Sequence, residues 1–182
     1  GLALHPDGRL LVCVAGRGLA AIDPAKPAPR WLESAGGSAL VGLLSVTAAP
    51  DGRIYAVEGS AGRRPSEWRH DLMEKRANGR LISCGAGLDN PQVLLRDLPY
   101  PYGVMVSADG NSLWLTESWA HGLSRFALGG SGLGRSLLHR RLGGGRFGGI
   151  RRAGHSCGQR TWLRADHPFL GSSKATQPAT SF

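Results

Sequence analysis

The chain has 182 residues, of which 41% are apolar and 19% charged, with a formal net charge of +9. This length supports one globular domain with a sizeable core and excludes two comfortable ones. The longest apolar run, from Ala39 to Ala49, is interrupted by Gly42 and Ser45 and is shorter than the ~18 residues of a membrane-spanning helix. We therefore expect a soluble chain with no transmembrane segment, and no signal-peptide pattern is visible in it.

Three segments match one another around an Asp-Gly dipeptide, at Asp7-Gly8, Asp51-Gly52 and Asp109-Gly110. Each dipeptide lies between two short stretches of alternating apolar residues. Glycine supplies the positive φ of a tight turn, so each segment is predicted to form a β-hairpin. Two more strand-like stretches follow each hairpin, at 19–23 and 30–32, at 79–83 and 92–95, and at 122–128 and 135–139.

Four strands in each repeat, with 44 and then 58 residues between successive Asp-Gly dipeptides, are typical of β-propeller blades. The longer second spacing contains an insertion over residues 61–76. Trp68 and Leu72 stand four residues apart in it, which predicts a short helix. We expect an all-β fold of about three four-stranded blades, at about 1–44, 45–102 and 103–140, with this one helical insert.

The positive charge lies mainly beyond the third repeat. Residues 1–128 carry 13 Lys+Arg against 12 Asp+Glu, whereas residues 129–182 carry 9 against Asp166 alone. Because the main body is close to neutral and shows no nucleic-acid-binding module, we expect no nucleic-acid partner. No fourth Asp-Gly hairpin follows Leu128. We predict that the Gly/Arg-rich residues 141–182 are an atypical tail, either disordered or frame-shifted, and that the native gene encodes further blades.

Three blades do not close a propeller, which needs at least ~4. An open arc exposes its sheet edges, which predicts aggregation or edge-to-edge association. The sequence does not determine the oligomeric state.

Several motifs after residue 44 stand in a recognisable order: Ser45 to Ser60, Asp71-Leu-Met-Glu74, Gly79-Arg-Leu81, Pro101-Tyr-Gly-Val104 and Thr116-Glu-Ser118. In this order and spacing the chain resembles the strictosidine synthase-like proteins, which stand with the SMP-30/gluconolactonase group in one superfamily. The resemblance covers residues 45–128 well and 1–44 loosely. It implies a parent protein that is a six-bladed β-propeller.

The resemblance also implies a function. The first expectation is a hydrolase of small lactones or esters that acts on a small-molecule substrate with a central divalent cation, Ca²⁺. One alternative is a strictosidine synthase-type condensing enzyme, and another is a non-catalytic binding or scaffold propeller, because a propeller fold alone fixes no chemistry. At Pro101-Tyr102-Gly103 this chain has a tyrosine where the family has an asparagine that binds the cation, and a phenol is a poor ligand for a hard cation. Further ligands, or a catalytic glutamate, would lie in later blades.

Two glutamates occupy equivalent places, because Glu58 and Glu117 each end the strand after an Asp-Gly turn. Carboxylates that face a common channel are candidates for a metal site or for a catalytic general base. They are equally able to accept hydrogen bonds from neighbouring loop amides. Tyr100, Tyr102 and Trp119 are candidate substrate-binding residues, although strand aromatics also serve in packing.

Two other groups are interpreted as structural. His70, Asp71 and Glu74 alternate with basic residues in the insert, which predicts a solvated helix face with local ion pairs. Cys13, Cys84 and Cys157 are odd in number and widely spaced, so we expect free structural thiols rather than a disulfide framework.

Overall fold

The computed structural model describes residues 1–74, 76–129 and 132–141, so the predictions for the tail beyond residue 141 lie outside the described residues. Strands account for nearly all the regular structure in these ranges. The strands are β1 Leu2–Leu4, β2 Leu10–Val14, β3 Gly18–Ile22, β4 Arg30–Leu32, β5 Ser34–Ala35, β6 Ser38–Ala39, β7 Leu43–Ala48, β8 Ile54–Glu58, β9 Gly79–Cys84, β10 Gln92–Leu98, β11 Pro101–Val106, β12 Ser112–Glu117, β13 Gly122–Gly129 and β14 Gly132–Arg141. A 3-10 turn, Pro65–Glu67, leads into the helix α1, Trp68–Met73.

Twelve of these strands form three antiparallel sheets, each a meander of four strands adjacent in sequence. The first sheet is β1 to β4, the second β7 to β10 and the third β11 to β14, and β5 and β6 form a small separate hairpin. The predicted all-β fold with three four-stranded blades is confirmed. The hairpin of β5 and β6 was not predicted, because two-residue strands leave no periodic signal.

The first two strands of every sheet are joined by one of the predicted Asp-Gly turns. The three glycines have φ of +90°, +85° and +73°, at Gly8, Gly52 and Gly110. A side chain there would cost roughly 1–2 kcal/mol, because left-handed backbone brings Cβ against the carbonyl oxygen. In all three turns the aspartate Oδ1 accepts a hydrogen bond from the backbone N–H two residues later, over 3.0–3.1 Å.

The sheets pack face to face and enclose two cores. The first core lies between the first and second sheets and contains Leu11, Leu19 and Ile54. The second lies between the second and third sheets and contains Val57 and Leu115. The leading strands β1, β7 and β11 are neighbours from sheet to sheet, so they form the inner side of the arc.

The insert is helical, as predicted, but its buried residue is not one of the expected apolar pair. Trp68 and Leu72 are exposed, Met73 is 82% exposed, and Asp71 is fully buried. The prediction of a solvated face was therefore wrong for Asp71. Its burial is compensated by Arg63, whose Nε lies 3.2 Å from Oδ1 of Asp71. Among the described residues, no helix is long and apolar enough to cross a membrane.

Candidate functional site

The second and third sheets have the same construction at the end where the two glutamates lie. Glu58 stands opposite Leu43, and Glu117 stands opposite Pro101. In both sheets the pairing shifts by one residue immediately afterwards, which leaves Leu44 and Tyr102 at the two irregular positions of the inner strands. The internal repeat thus places Glu58 with Leu44 in one sheet and Glu117 with Tyr102 in the next.

Glu58 is fully buried, and both of its carboxylate oxygens accept hydrogen bonds. Oε1 accepts hydrogen bonds from the backbone N–H groups of Val41 and Gly42, both over 3.0 Å. Oε2 accepts from Nε of Arg80 over 2.8 Å and also from its Nη2. Buried charges are stable in proteins when they are paired and hydrogen-bonded, and this carboxylate satisfies both conditions.

Arg80 extends the same network into the loop between the first and second sheets. Its guanidinium also donates to the carbonyl oxygens of Ala35 and Ala39 and to the hydroxyl of Ser38. The ion pair therefore fastens the β5–β6 hairpin to the second sheet. We infer that Glu58 is structural here, because both of its oxygens are directed at protein donors.

Glu117 occupies the equivalent place in the third sheet. It is almost fully buried at the end of β12, and Oε2 accepts a hydrogen bond from the hydroxyl of Ser124 over 3.4 Å. The next residue, Ser118, donates its backbone N–H to the carbonyl of Tyr100 over 3.0 Å. The end of β12, where Glu117 lies, is thereby joined to Tyr100, which directly precedes β11.

Of the three candidate aromatic residues, Tyr100, Tyr102 and Trp119, two are in contact with each other. Tyr100 and Trp119 stack with ring centroids 4.8 Å apart and an interplanar angle of 20°. Tyr100 packs against the backbone that follows Glu58, since a Cβ on Gly59 would lie 3.0 Å from its ring. Burial raises the pKa of the Tyr100 phenol, and the nearby Tyr102 and Asp71 add to the rise. Tyr102 itself is 60% exposed and belongs to the inner strand.

Three polar residues at this end of the sheets were not predicted as site residues: Arg80, Ser60 and Asp71. Both carboxylate oxygens of Asp71 and the hydroxyl of Ser60 are buried, and no described residue forms a hydrogen bond with them. A signal for Arg80 existed in the sequence, because a charge inside the apolar strand Gly79–Cys84 requires a partner. Asp71 gave no such signal, since it is surrounded by basic residues in the sequence.

The described residues do not fit a Ca²⁺ site by themselves. Ca²⁺ takes 6–8 oxygen ligands, mostly from carboxylates and carbonyls. Within the described ranges no group of three or more His, Cys, Asp or Glu side chains comes close enough to hold a metal ion. Both oxygens of Glu58 are directed at Arg80 and backbone amides.

Comparison with known proteins supports the fold and the family. The chain is 30% identical over 131 residues to the strictosidine synthase-like 6 protein of Arabidopsis thaliana, covering 71% of this chain and 35% of that protein. It is 27% identical over 123 residues to the adipocyte plasma membrane-associated protein of Salmo salar, covering 65% and 30%. A solved gluconolactonase from Xanthomonas campestris matches with a TM-score of 0.59 and 17% identity, over 78% of this chain and 47% of that one. No family model matches the chain.

The three meanders, with their leading strands on the inner side, and the likeness to the gluconolactonase in fold define the class of protein, which is a β-propeller. Within that class, the chain is similar to the strictosidine synthase-like proteins, to one of which it is 30% identical over 71% of its own length. The chain spans about a third of the length of the curated relatives it matches.

Proposed function

We propose that the protein containing this chain hydrolyses small lactones or esters, and that this chain provides the aromatic entrance and one carboxylate base. The entrance consists of Tyr100, Trp119 and Tyr102, and the base is Glu117. The observation that carries the proposal is a buried glutamate two residues before Trp119, on a backbone that is hydrogen-bonded through Ser118 to Tyr100, the ring partner of Trp119. Aromatic rings bind the apolar part of a small ligand and leave polar groups to orient it.

In this proposal Glu117 accepts a proton from water as the water oxygen attacks the carbonyl carbon. The tetrahedral intermediate then expels the alcohol oxygen, which takes that proton back from the Glu117 carboxyl and so completes hydrolysis of the ester bond. The stacked rings of Tyr100 and Trp119 hold the acyl portion and exclude bulk water. A carboxylate in such a position contributes roughly 10²–10⁴-fold to a rate as a general base.

The test is an assay of the protein that contains this chain with an aryl ester and a six-membered lactone. We expect hydrolysis above the uncatalysed rate, lowered about 10²-fold or more by Glu117→Gln. The matched control is Glu67→Gln, which removes an exposed carboxylate from the insert and should leave the rate unchanged. Equal rates for wild type and Glu117→Gln would contradict the role of Glu117.

Calcium enters this proposal only as a ligand of the protein that contains this chain. Since the described residues lack a donor set, we expect calorimetry to show no saturable Ca²⁺ binding by the wild-type chain. Tyr102→Asn places an amide oxygen at the family's ligand position and should increase any Ca²⁺ binding, whereas Tyr102→Phe should not. Saturable binding by the wild type that Glu117→Gln abolishes would show that this chain contributes a metal ligand after all.

A second candidate is a non-catalytic propeller that binds a small aromatic ligand. The ion pair between Glu58 and Arg80 favours this second candidate, because a carboxylate that is bound to a guanidinium cannot serve as a catalytic base. Binding of the aryl ester, followed by a change in tryptophan fluorescence that Trp119→Phe removes, with no hydrolysis by the wild-type protein would support this candidate over the hydrolase.

A further inference from the structure

Two buried polar side chains of the second repeat, Ser60 and Asp71, lack hydrogen-bond partners. Ser60 is 3% exposed and Asp71 is fully buried, and no described residue forms a hydrogen bond with the hydroxyl of one or the carboxylate oxygens of the other. Both belong to the second repeat, whose sheet packs against the first and third sheets on its two faces. A buried polar group without a hydrogen bond costs free energy, so these two groups call for an explanation.

Arg63 contacts both of these residues. Its backbone N–H donates to the carbonyl of Ser60 over 3.5 Å, and its Nε lies 3.2 Å from Oδ1 of Asp71. The guanidinium therefore supplies a countercharge to Asp71, but a carboxylate has about four lone-pair sites and most of them are left over. The Arg63 side chain is 29% exposed, so the site reaches solvent along this guanidinium.

The ring of Tyr100 connects these groups with the aromatic entrance. A Cβ on Gly59, the residue before Ser60, would lie 3.0 Å from Cε2 and Cζ of Tyr100. Asp71 is close enough for its charge to contribute to the raised pKa of the Tyr100 phenol. The same ring stacks on Trp119. One ring therefore borders both the entrance and the two buried polar groups.

The backbone of Tyr100 has an unusual conformation. Its φ is +53°, in the left-handed region that residues with a side chain rarely adopt. Two hydrogen bonds hold it there: its N–H donates to the carbonyl of Leu98 over 2.8 Å, and its carbonyl accepts from the N–H of Ser118 over 3.0 Å. Backbone strain of this kind clusters at ligand-binding and catalytic sites. The outlier therefore agrees with a ligand site at this ring.

We propose that Ser60 and Asp71 form a polar subsite that binds a hydroxyl group on the aromatic ring of a small ligand. A carboxylate only accepts hydrogen bonds, so the ligand group that meets Asp71 must donate one. The Ser60 hydroxyl can donate in return, so a group that both donates and accepts satisfies the two residues together. A neutral hydroxyl fits better than an ammonium group, because Arg63 already balances the charge of Asp71.

This inference rests on the aromatic entrance of the proposed function and does not depend on Glu117 as a base. It narrows the ligand class to aromatic compounds with a free hydroxyl on the ring, such as an aryl ester that carries a second, unesterified phenol. The ring of the ligand packs against Tyr100 and Trp119, and its hydroxyl reaches Ser60 and Asp71.

The first experiment is a calorimetric titration of the protein that contains this chain with para-cresol and with its methyl ether. Neither probe has an ester bond, so binding is measured apart from hydrolysis. The ether keeps the ring but cannot donate a hydrogen bond. We expect para-cresol to bind at least about 10-fold more tightly, because a hydrogen bond to a buried charged group is lost with the ether. Equal affinities, or no binding of either probe, would overturn the proposal.

The second experiment repeats the titration with variants. Asp71→Asn should bring the two affinities close together, because it removes the charged acceptor. Ser60→Ala should weaken para-cresol binding about fivefold, because the ligand hydroxyl loses the hydrogen bond that it accepts. Ser66→Ala is the matched control, since Ser66 is exposed in the 3-10 turn of the insert, and it should bind both probes as wild type does. Wild-type behaviour of both Asp71→Asn and Ser60→Ala would contradict the subsite.

The stability of Ser60→Ala separates a ligand-binding role from a structural one. Because no described residue bonds to this hydroxyl, its removal should leave the urea midpoint of unfolding unchanged or raise it. A clear fall of the midpoint would show that the hydroxyl stabilises the fold, against the proposal.

Hydrolysis of the aryl ester, measured in parallel, separates this inference from the proposed function. Preference for para-cresol without hydrolysis would support the subsite and contradict the hydrolase. Hydrolysis together with equal affinities for the two probes would support the hydrolase and contradict the subsite.

Discussion

At the scale of single residues, the buried ion pair between Glu58 and Arg80 is the feature with the largest expected effect on stability. Glu58→Gln leaves the Arg80 guanidinium buried without a countercharge. Removal of one partner from a buried pair costs roughly 3–5 kcal/mol. We therefore expect the free energy of unfolding, measured in urea, to fall by about that amount.

The matched control for this prediction is an exposed pair of the same chemistry. Arg17 Nε lies 3.4 Å from Glu33 Oε1, and both side chains are more than half exposed. Glu33→Gln should change the free energy of unfolding by no more than about 1 kcal/mol, because water screens such pairs. If Glu58→Gln and Glu33→Gln had equal effects, the ion pair with Arg80 would not be the structural fastening inferred here.

A second prediction at this scale concerns the thiols. Burial raises the pKa of Cys13 to about 11 and that of Cys84 to about 12. Only the thiolate is nucleophilic, and at pH 8 a thiol of pKa 11 is ionised to about one part in 10³. We expect alkylation of both by iodoacetamide at pH 8, followed by mass spectrometry of the peptides, to be at least about 100-fold slower in the folded chain than in urea. Equal rates in the two conditions would contradict the burial of these thiols.

At the scale of elements, the helical insert depends on the contact between Arg63 and the buried Asp71. Arg63 also donates from Nη2 to Glu74, over 3.1 Å to Oε1, so one guanidinium holds both acids of the helix. Arg63→Met leaves the Asp71 carboxylate buried without its countercharge, which favours opening of the insert. We expect hydrogen exchange over residues 65–74 to accelerate, while the three sheets keep their protection.

The control variant is Arg69→Met, because Arg69 is on the same helix but is exposed and lies over the ring of Trp68. It should leave exchange in the insert nearly unchanged. Acceleration by both variants alike would show that the insert responds to charge in general rather than to the contact with Asp71.

The insert also shows where sequence periodicity failed. The spacing of Trp68 and Leu72 correctly predicted a helix, but a helix of six residues is too short for apolar spacing to identify its buried side. Burial here is decided by Arg63, which precedes the helix and supplies a charge to Asp71. A pattern confined to one element cannot show a partner that lies outside it.

At the scale of the whole molecule, the Asp-Gly repeat was enough to predict the three sheets and most of their strands, because turn and alternation repeat together. It also placed Glu58 and Glu117 at equivalent positions. The partner of Glu58 could not be predicted from the repeat, because the Arg80 that engages it is 22 residues away and lies on another strand. Equivalent positions in a repeat share backbone geometry, whereas their chemistry depends on side chains that are not repeated.

The arrangement of the cores leads to the last prediction, on how the arc unfolds. Leu11 is fully buried in the core between the first two sheets, and Leu115 is fully buried in the core between the second and third. Each substitution to alanine should cost about 2–5 kcal/mol through lost contacts and a cavity. In a stack of units that contact only their neighbours, each interface contributes separately to stability. We therefore expect the loss of stability to be confined to the sheets that border the altered core.

Hydrogen exchange of the two variants gives the test. Leu115→Ala should accelerate exchange in β12 and β13 and leave β2 and β3 protected, and Leu11→Ala should do the reverse. The two variants are controls for each other, because both delete the same atoms from fully buried leucines in the second strand of a sheet. Uniform acceleration by either variant would mean that the three sheets unfold as one cooperative unit, with the second sheet coupling the two cores rather than separating them.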